Sequence, residues 1–189
     1  MKKRMHDISD IRTGIYLQGE PDADTLYLQL SDFDACGRYK AMSFPYLKGD
    51  RVKARHLLRN GDLLFAAKGL YNFCTLYSSD EIGKAVASSS FLVIHIVEPH
   101  SVLPEYVRWF LNRDDILKHL QAQAEGGGIL SITKAQVEAL EMEIPTVPMQ
   151  KKILEIDELQ RRSNALRSQI TEKQQLLISL LLTESTKKQ

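Results

Sequence analysis

Six basic side chains, Lys48, Arg51, Lys53, Arg55, Arg59 and Lys68, crowd one stretch in which the only acids are Asp50 and Asp62. Lys and Arg at this density neutralise phosphate oxygens, so the first chemistry the chain offers is anion binding. A solvated strand-and-loop face is the plainer alternative for such a mixed run. The formal net charge of +1 hides this local excess, because Glu20, Asp22, Asp24, Asp32 and Asp34 form an acidic stretch with no base among them.

Bond-making chemistry is hard to place. The Gly-rich stretch 125–134 lacks the Gly-Lys-Ser/Thr ending by which a phosphate loop holds a triphosphate. His6, His56, His95, His100 and His119 are scattered, with no HExxH and no His/Cys cluster to hold a metal. His95 alternates with apolar neighbours; such a histidine could respond to pH, but a hydrogen-bonded structural role is the commoner outcome. Ser88, Ser89 and Ser90 precede a strand without the GxSxG elbow that exposes a nucleophile. No acid pair, nuclease-like acidic-lysine cluster or Asn-Pro-Pro-aromatic methyltransferase motif occurs. The expectation is a protein that is not an enzyme and needs no cofactor or metal. The two cysteines, Cys36 and Cys74, form no CxxC pair and are expected to be reduced.

The elements that would position the basic residues read as strands, loops and short helices. Residues 26–30 alternate as a half-buried strand does, and 8–17 reads as strand and loop around Gly14. Asn60 and Gly61 tolerate the positive φ of a tight turn, after which 63–67 is a short apolar strand ended by Lys68 and Gly69. Residues 91–97 are short and β-branched, which suits a buried central strand. Pro104 fits the first turn of a helix whose apolar face is Tyr106, Val107, Phe110 and Leu111, with Trp109 nearby. Thr133 and Gln136 have capping-box spacing, predicting a short helix to about Leu140. The prolines of 144–148 then force extended geometry and mark a connector.

Residues 149–183 hold no Pro or Gly and predict one long helix of roughly 50 Å at ~1.5 Å per residue. Ile156, Leu159, Ser163, Leu166, Ile170, Lys173, Leu177 and Leu180 repeat at alternating spacings of three and four, and six of these eight are apolar. That is a coiled-coil seam, which should pair with another helix. The chain thus divides into a globular domain, 1–148, and a dimerisation helix, 149–189. Basic residues 2–4 have no apolar block behind them, and no apolar run approaches the ~20 residues that span a bilayer, so a cytoplasmic protein without a membrane partner is expected.

The order of these pieces resembles the target-recognition domains of type I restriction-modification specificity (S) subunits. The opening His-Asp-Ile-Ser-Asp-Ile-Arg-Thr-Gly at 6–14 is similar to the family's Leu-Gly-Asp-Ile type run leading to a Gly, with His6 where a Gly is usual. Asn60-Gly61-Asp62-Leu63-Leu64-Phe65-Ala66-Ala67-Lys68-Gly69 looks like the Gly-Asp-Ile-Leu strand and its following Gly, the sharpest match. Residues 91–97 and 103–112 resemble the family's strand and its proline-aromatic-leucine helix. Residues 132–153 resemble the helix, proline connector and start of the coil, where a Glu-Gln pair is usual and only Gln150 is present.

The resemblance covers nearly the whole chain and implies an α+β target-recognition domain, with a mixed sheet and short helices, followed by one long coiled-coil helix. A full specificity subunit holds two such domains and two coil segments; this sequence contains one of each and no internal repeat. It implies double-stranded DNA and a methyltransferase subunit as partners, a restriction subunit through the complex, and a homodimer through an antiparallel coiled coil. Lys48, Arg51, Lys53, Arg55 and Lys68, with Tyr71 and Asn72 after the Gly69 turn, are the candidate DNA contacts: cations for phosphates, Arg and Asn for base edges. Ile156, Leu159, Leu166, Ile170, Leu177 and Leu180 are the candidate dimerisation residues. A coiled-coil adaptor that never touches DNA, or an inactive remnant of a specificity subunit, is the alternative.

Overall fold

In a computed structural model the chain is described at residues 1–17, 24–40, 45–47, 52–123 and 131–187. The elements open with β1 (Lys2–Arg4), α1 (Met5–Ile8), β2 (Ser9–Thr13), β3 (Thr25–Leu28) and β4 (Pro45–Leu47). Next come β5 (Leu63–Ala66), β6 (Cys74–Leu76), α2 (Ser79–Ile82), β7 (Ala85–Ala87) and β8 (Phe91–Ile96). Helices α3 (Pro104–Leu111), α4 (Asp114–Ala122) and α5 (Lys134–Glu138) follow, then β9 (Glu141–Glu143) and α6 (Val147–Lys187). The chain separates into two units, Met1–Gln150 and Lys151–Gln189.

In the first unit β8 is buried at every residue but His95, as an inner strand with protein on both faces must be. It pairs antiparallel with β2 and β5, and β6 completes a sheet of order β2-β8-β5-β6. A second sheet, β4-β3-β7, includes a parallel ladder between β3 and β7. Leu28, Ala85 and Ala87 of that sheet meet Leu64, Ala66, Phe91 and Val93 of the first in one apolar cluster. Phe33 fills its centre, edge-on to Phe91 at 5.6 Å and tilted against Phe73 at 5.8 Å. On the other face of the second sheet Tyr27, Leu47, Val52 and Val86 form a separate cluster. Alternation along β3 and β7 therefore buries both faces.

Close approach explains Gly14. Its N–H donates to Phe91 O at 2.9 Å, and a Cβ there would stand 2.1 Å from Ser88 O and 2.6 Å from Ala87 O. Both are main-chain atoms that cannot rotate away. Gly14→Ala is expected to lower unfolding stability by about 1–3 kcal/mol, the usual cost of overpacking, read as an earlier midpoint in chemical denaturation; an unchanged midpoint would refute the contact.

Helix α3 packs against β6 with Tyr106, Val107, Phe110 and Leu111 buried and Pro104 in its first turn. Asn112, just past its end, closes the edge of β6: Oδ1 accepts from Cys74 N at 2.8 Å, and Nδ2 donates to Cys74 O at 2.7 Å. One side chain thus occupies the donor and acceptor of an edge residue that would otherwise invite another strand. Burial of Cys74 pushes its thiol up to about 12, so it packs as an apolar residue. The Thr133 and Gln136 box is present at the start of α5. The strands β1 and β9 pair antiparallel, with Lys3 opposite Met142.

Helix α6 begins at Val147, two residues before the sequence pattern places it, because Pro148 lies in the first turn, where no intrahelical N–H is required. Gln150 is fully buried within the first unit. Its Oε1 accepts from Leu103 N at 2.9 Å, and its Nε2 donates to Ser101 O at 2.8 Å and Pro145 O at 2.9 Å. Further along, Ile156, Leu159, Leu166, Ile170, Leu177 and Leu180 are each more than half exposed. Among the described residues no helix is long and apolar enough to cross a membrane.

Candidate nucleic-acid interface

The turn at Asn60 and Gly61 delivers Asp62 to the start of β5, where its side chain is only 2% exposed. A carboxylate so placed needs donors, and the local fold supplies them. Arg59 N donates to Oδ2 at 2.9 Å, and His95 Nδ1 lies 2.8 Å from Oδ1. Arg12 Nη2 stands 3.9 Å from Oδ2 and donates to Leu57 O at 3.2 Å. The β2–β8 register sets Asp10 opposite His95, so alternation sends Asp10 and Arg12 to the same side of the sheet. Arg55, in the short turn Ala54–His56, joins this group along one cleft.

Electrostatics in the cleft are strained toward positive charge. Burial lowers the Arg12 guanidinium from its ordinary value, Asp62 opposes that, and the Arg59 cation adds to it. His56 is also lowered, first by burial and then by Arg55, Arg12 and Lys53. Arg55 Nε donates to His56 Nε2 at 3.3 Å, while His56 Nδ1 is buried without a hydrogen-bond partner among the described residues. Neither Arg55 nor Arg59 has an ion pair among the described residues.

The structure divides the predicted contact residues. Lys48 and Arg51 lie outside the described residues. Lys53 and Arg55 are exposed beside the Asp62 cleft at the start of β5. Lys68, exposed and bridged to Ser131, follows the other end of that strand. From Asp62 to Lys68 the chain reaches at most about 20 Å at ~3.3 Å per extended residue. Past Lys68, Gly69 adopts φ +106, Leu70 is 92% exposed and Tyr71 63% exposed. Asn72 is occupied inside the fold: Nδ2 donates to Ala66 O at 2.8 Å, and Oδ1 accepts from Gln121 Nε2 at 2.9 Å. It anchors the loop that presents Tyr71.

Arg12, Asp62 and His95 were not among the residues singled out for binding. Their signal is one polar residue inside the apolar run 91–97, matched across a ladder to the polar positions Asp10 and Arg12, and the pairing needed to see it is not written in either segment. Among the described residues no group of His, Cys, Asp and Glu could hold a metal.

Mixed sheets flanked by short helices and followed by one long helix make an α+β protein. This is the fold of type I restriction-modification S subunits. The HsdS subunit from Thermoanaerobacter tengcongensis superposes with a TM-score of 0.65 at 20% identity, covering 93% of this chain and 45% of its own. The type I restriction-modification S subunit from M. genitalium gives a TM-score of 0.57 at 14% identity, over 89% of this chain and 41% of its own. A structure describing complex assembly and conformational transition of the type I system gives 0.57 at 15%, over 88% and 39%. The chain spans less than half the length of each. No family model matches it, and no curated protein matches it by sequence.

Proposed function

We propose that this chain is a non-catalytic DNA-recognition subunit of a type I restriction-modification system, acting in the cytosol. The likeness of its fold to S subunits along 93% of its length carries this reading; the exposed cations Lys53, Arg55 and Lys68 and the raised Tyr71 loop support it. Residues 1–148 read the duplex. Residues 149–189 pair with a second copy of the chain through the exposed seam of α6 and set the distance between the two readers. The pair directs a methyltransferase subunit, and through it a restriction subunit, to a bipartite target.

Selection of bound duplexes from a random pool, with and without a methyltransferase subunit, tests this directly. One recurring motif is expected. Binding should weaken by about 10³-fold between ~50 and ~200 mM salt if about six phosphates are contacted. Recovery of no duplex at any salt would replace the DNA reader by a coiled-coil adaptor.

A further inference from the structure

We propose that the cleft formed by Arg12, Arg55, Arg59 and His95 over Asp62 seats one phosphodiester of the DNA backbone. The inference rests on the DNA reading above and adds to it a site in which Arg12 and His95, absent from the basic run, take part with Arg59, a member of the run not counted among the candidate contacts.

The cleft is a cavity of about 180 Å³. It is too small for a helix or hairpin of a protein partner and large enough for a tetrahedral oxyanion. Asp62 lies beneath it as an organiser, because its oxygens already serve Arg59 N, His95 Nδ1 and, at longer range, Arg12. Its charge is committed inside the fold. With Nδ1 held by Asp62, His95 keeps Nε2 as its second polar atom on a side chain that is 39% exposed. Arg12 is fixed through Leu57 O and keeps further N–H groups.

The cations repel one another: Arg59 acts against the charge on Arg12, and Arg12 and Arg55 both act against protonation of His56. Arg55 and Arg59 lack carboxylate partners among the described residues. An external oxyanion relieves this crowding, and its paired non-bridging oxygens match the guanidinium fork. Asp10, exposed on the rim opposite His95, sets the sign of a control. It weakens attraction for any anion that enters.

Two substitutions separate phosphate seating from structural support. Arg59→Gln keeps the main-chain N–H that Asp62 uses, and Asp10→Asn removes an exposed charge; unfolding midpoints establish that both variants fold. Binding of wild type and variants to a selected duplex and an unrelated duplex is measured by fluorescence anisotropy across a salt series. Arg59→Gln is expected to weaken binding to both duplexes by about tenfold and to make the slope of log K against log salt shallower by about 1. Asp10→Asn should strengthen binding to both. If wild type binds but both variants keep its affinity and slope, the phosphate seat is overturned. An effect of Arg59→Gln on the selected duplex alone also overturns it, assigning Arg59 to base reading. If wild type binds neither duplex at low salt, the DNA reading itself falls.

Discussion

Adding five base pairs between the two halves of the selected target is expected to abolish high-affinity binding, with a loss of about 10²–10⁴-fold, the avidity that a second tethered site contributes. The proposed dimer has two-fold symmetry, so its two readers meet identical half-sites in opposite orientation. Its helices run antiparallel, as the resemblance implies. Helix α6 has 41 residues, and a rod of roughly 50–60 Å at ~1.5 Å per residue would hold the readers about one and a half DNA turns apart. Half a turn of extra duplex, ~5 base pairs, moves one half-site to the opposite face. Torsion of the duplex or a bend in the rod would have to restore contact, and the energy each costs is subtracted from what the second half-site returns. Equal affinity for the two spacings, measured by titration, sinks the two-reader geometry. So does selection of an asymmetric two-part target by the pure protein.

The second large effect concerns the seam itself. Leu166→Glu combined with Ile170→Glu is expected to leave a monomer in sedimentation velocity at concentrations where the wild type is a dimer. Both side chains are more than half exposed along α6, so the substitutions leave the fold of the first unit intact. In a dimer they bury four uncompensated carboxylates, each costing several kcal/mol. The dimer dissociation constant should rise by at least about 10³-fold, or ~4 kcal/mol. Binding to a single half-site should persist. A double variant that still sediments as a dimer refutes the seam. Lys173, the charged residue at a seam position, is the point where the pairing is weakest.

Features set by local chemistry could be read from the sequence. The capping box at Thr133, the proline start of α3, the turn at Gly61 and the long helix each need only neighbouring residues. The heptad spacing was equally plain. Non-local features were hidden. The parallel pairing of β3 with β7 joins two short segments, and Ala85–Ala87 has no alternation because both of its faces are buried. The pairing of β1 with β9 brings together positions as distant in sequence as Lys3 and Met142, in strands too short to show a period. The described part of the basic run is distributed for a related reason. Adjacency in sequence suggested one patch, whereas β5 separates Arg55 from Lys68 and the ladder brings in Arg12 and His95 instead. Asn72 looked free to read bases because nothing in its neighbourhood foretells the Gln121 side chain that holds it.

The socket around Gln150 has an evolutionary consequence. It is built from the main-chain groups of Leu103, Ser101 and Pro145, and, proline at 103 apart because it would lack the donated N–H, these groups are the same whatever side chains those positions carry. The socket therefore requires one glutamine and places few demands on the side chains of the loops that frame it. All three bonds also lie within Met1–Gln150. A recombination joint between positions 150 and 151 keeps every one of them in the same parental segment. First units of different surface can thus be traded onto a common helix, or one such unit onto helices of different length, without rebuilding the place where the helix takes root.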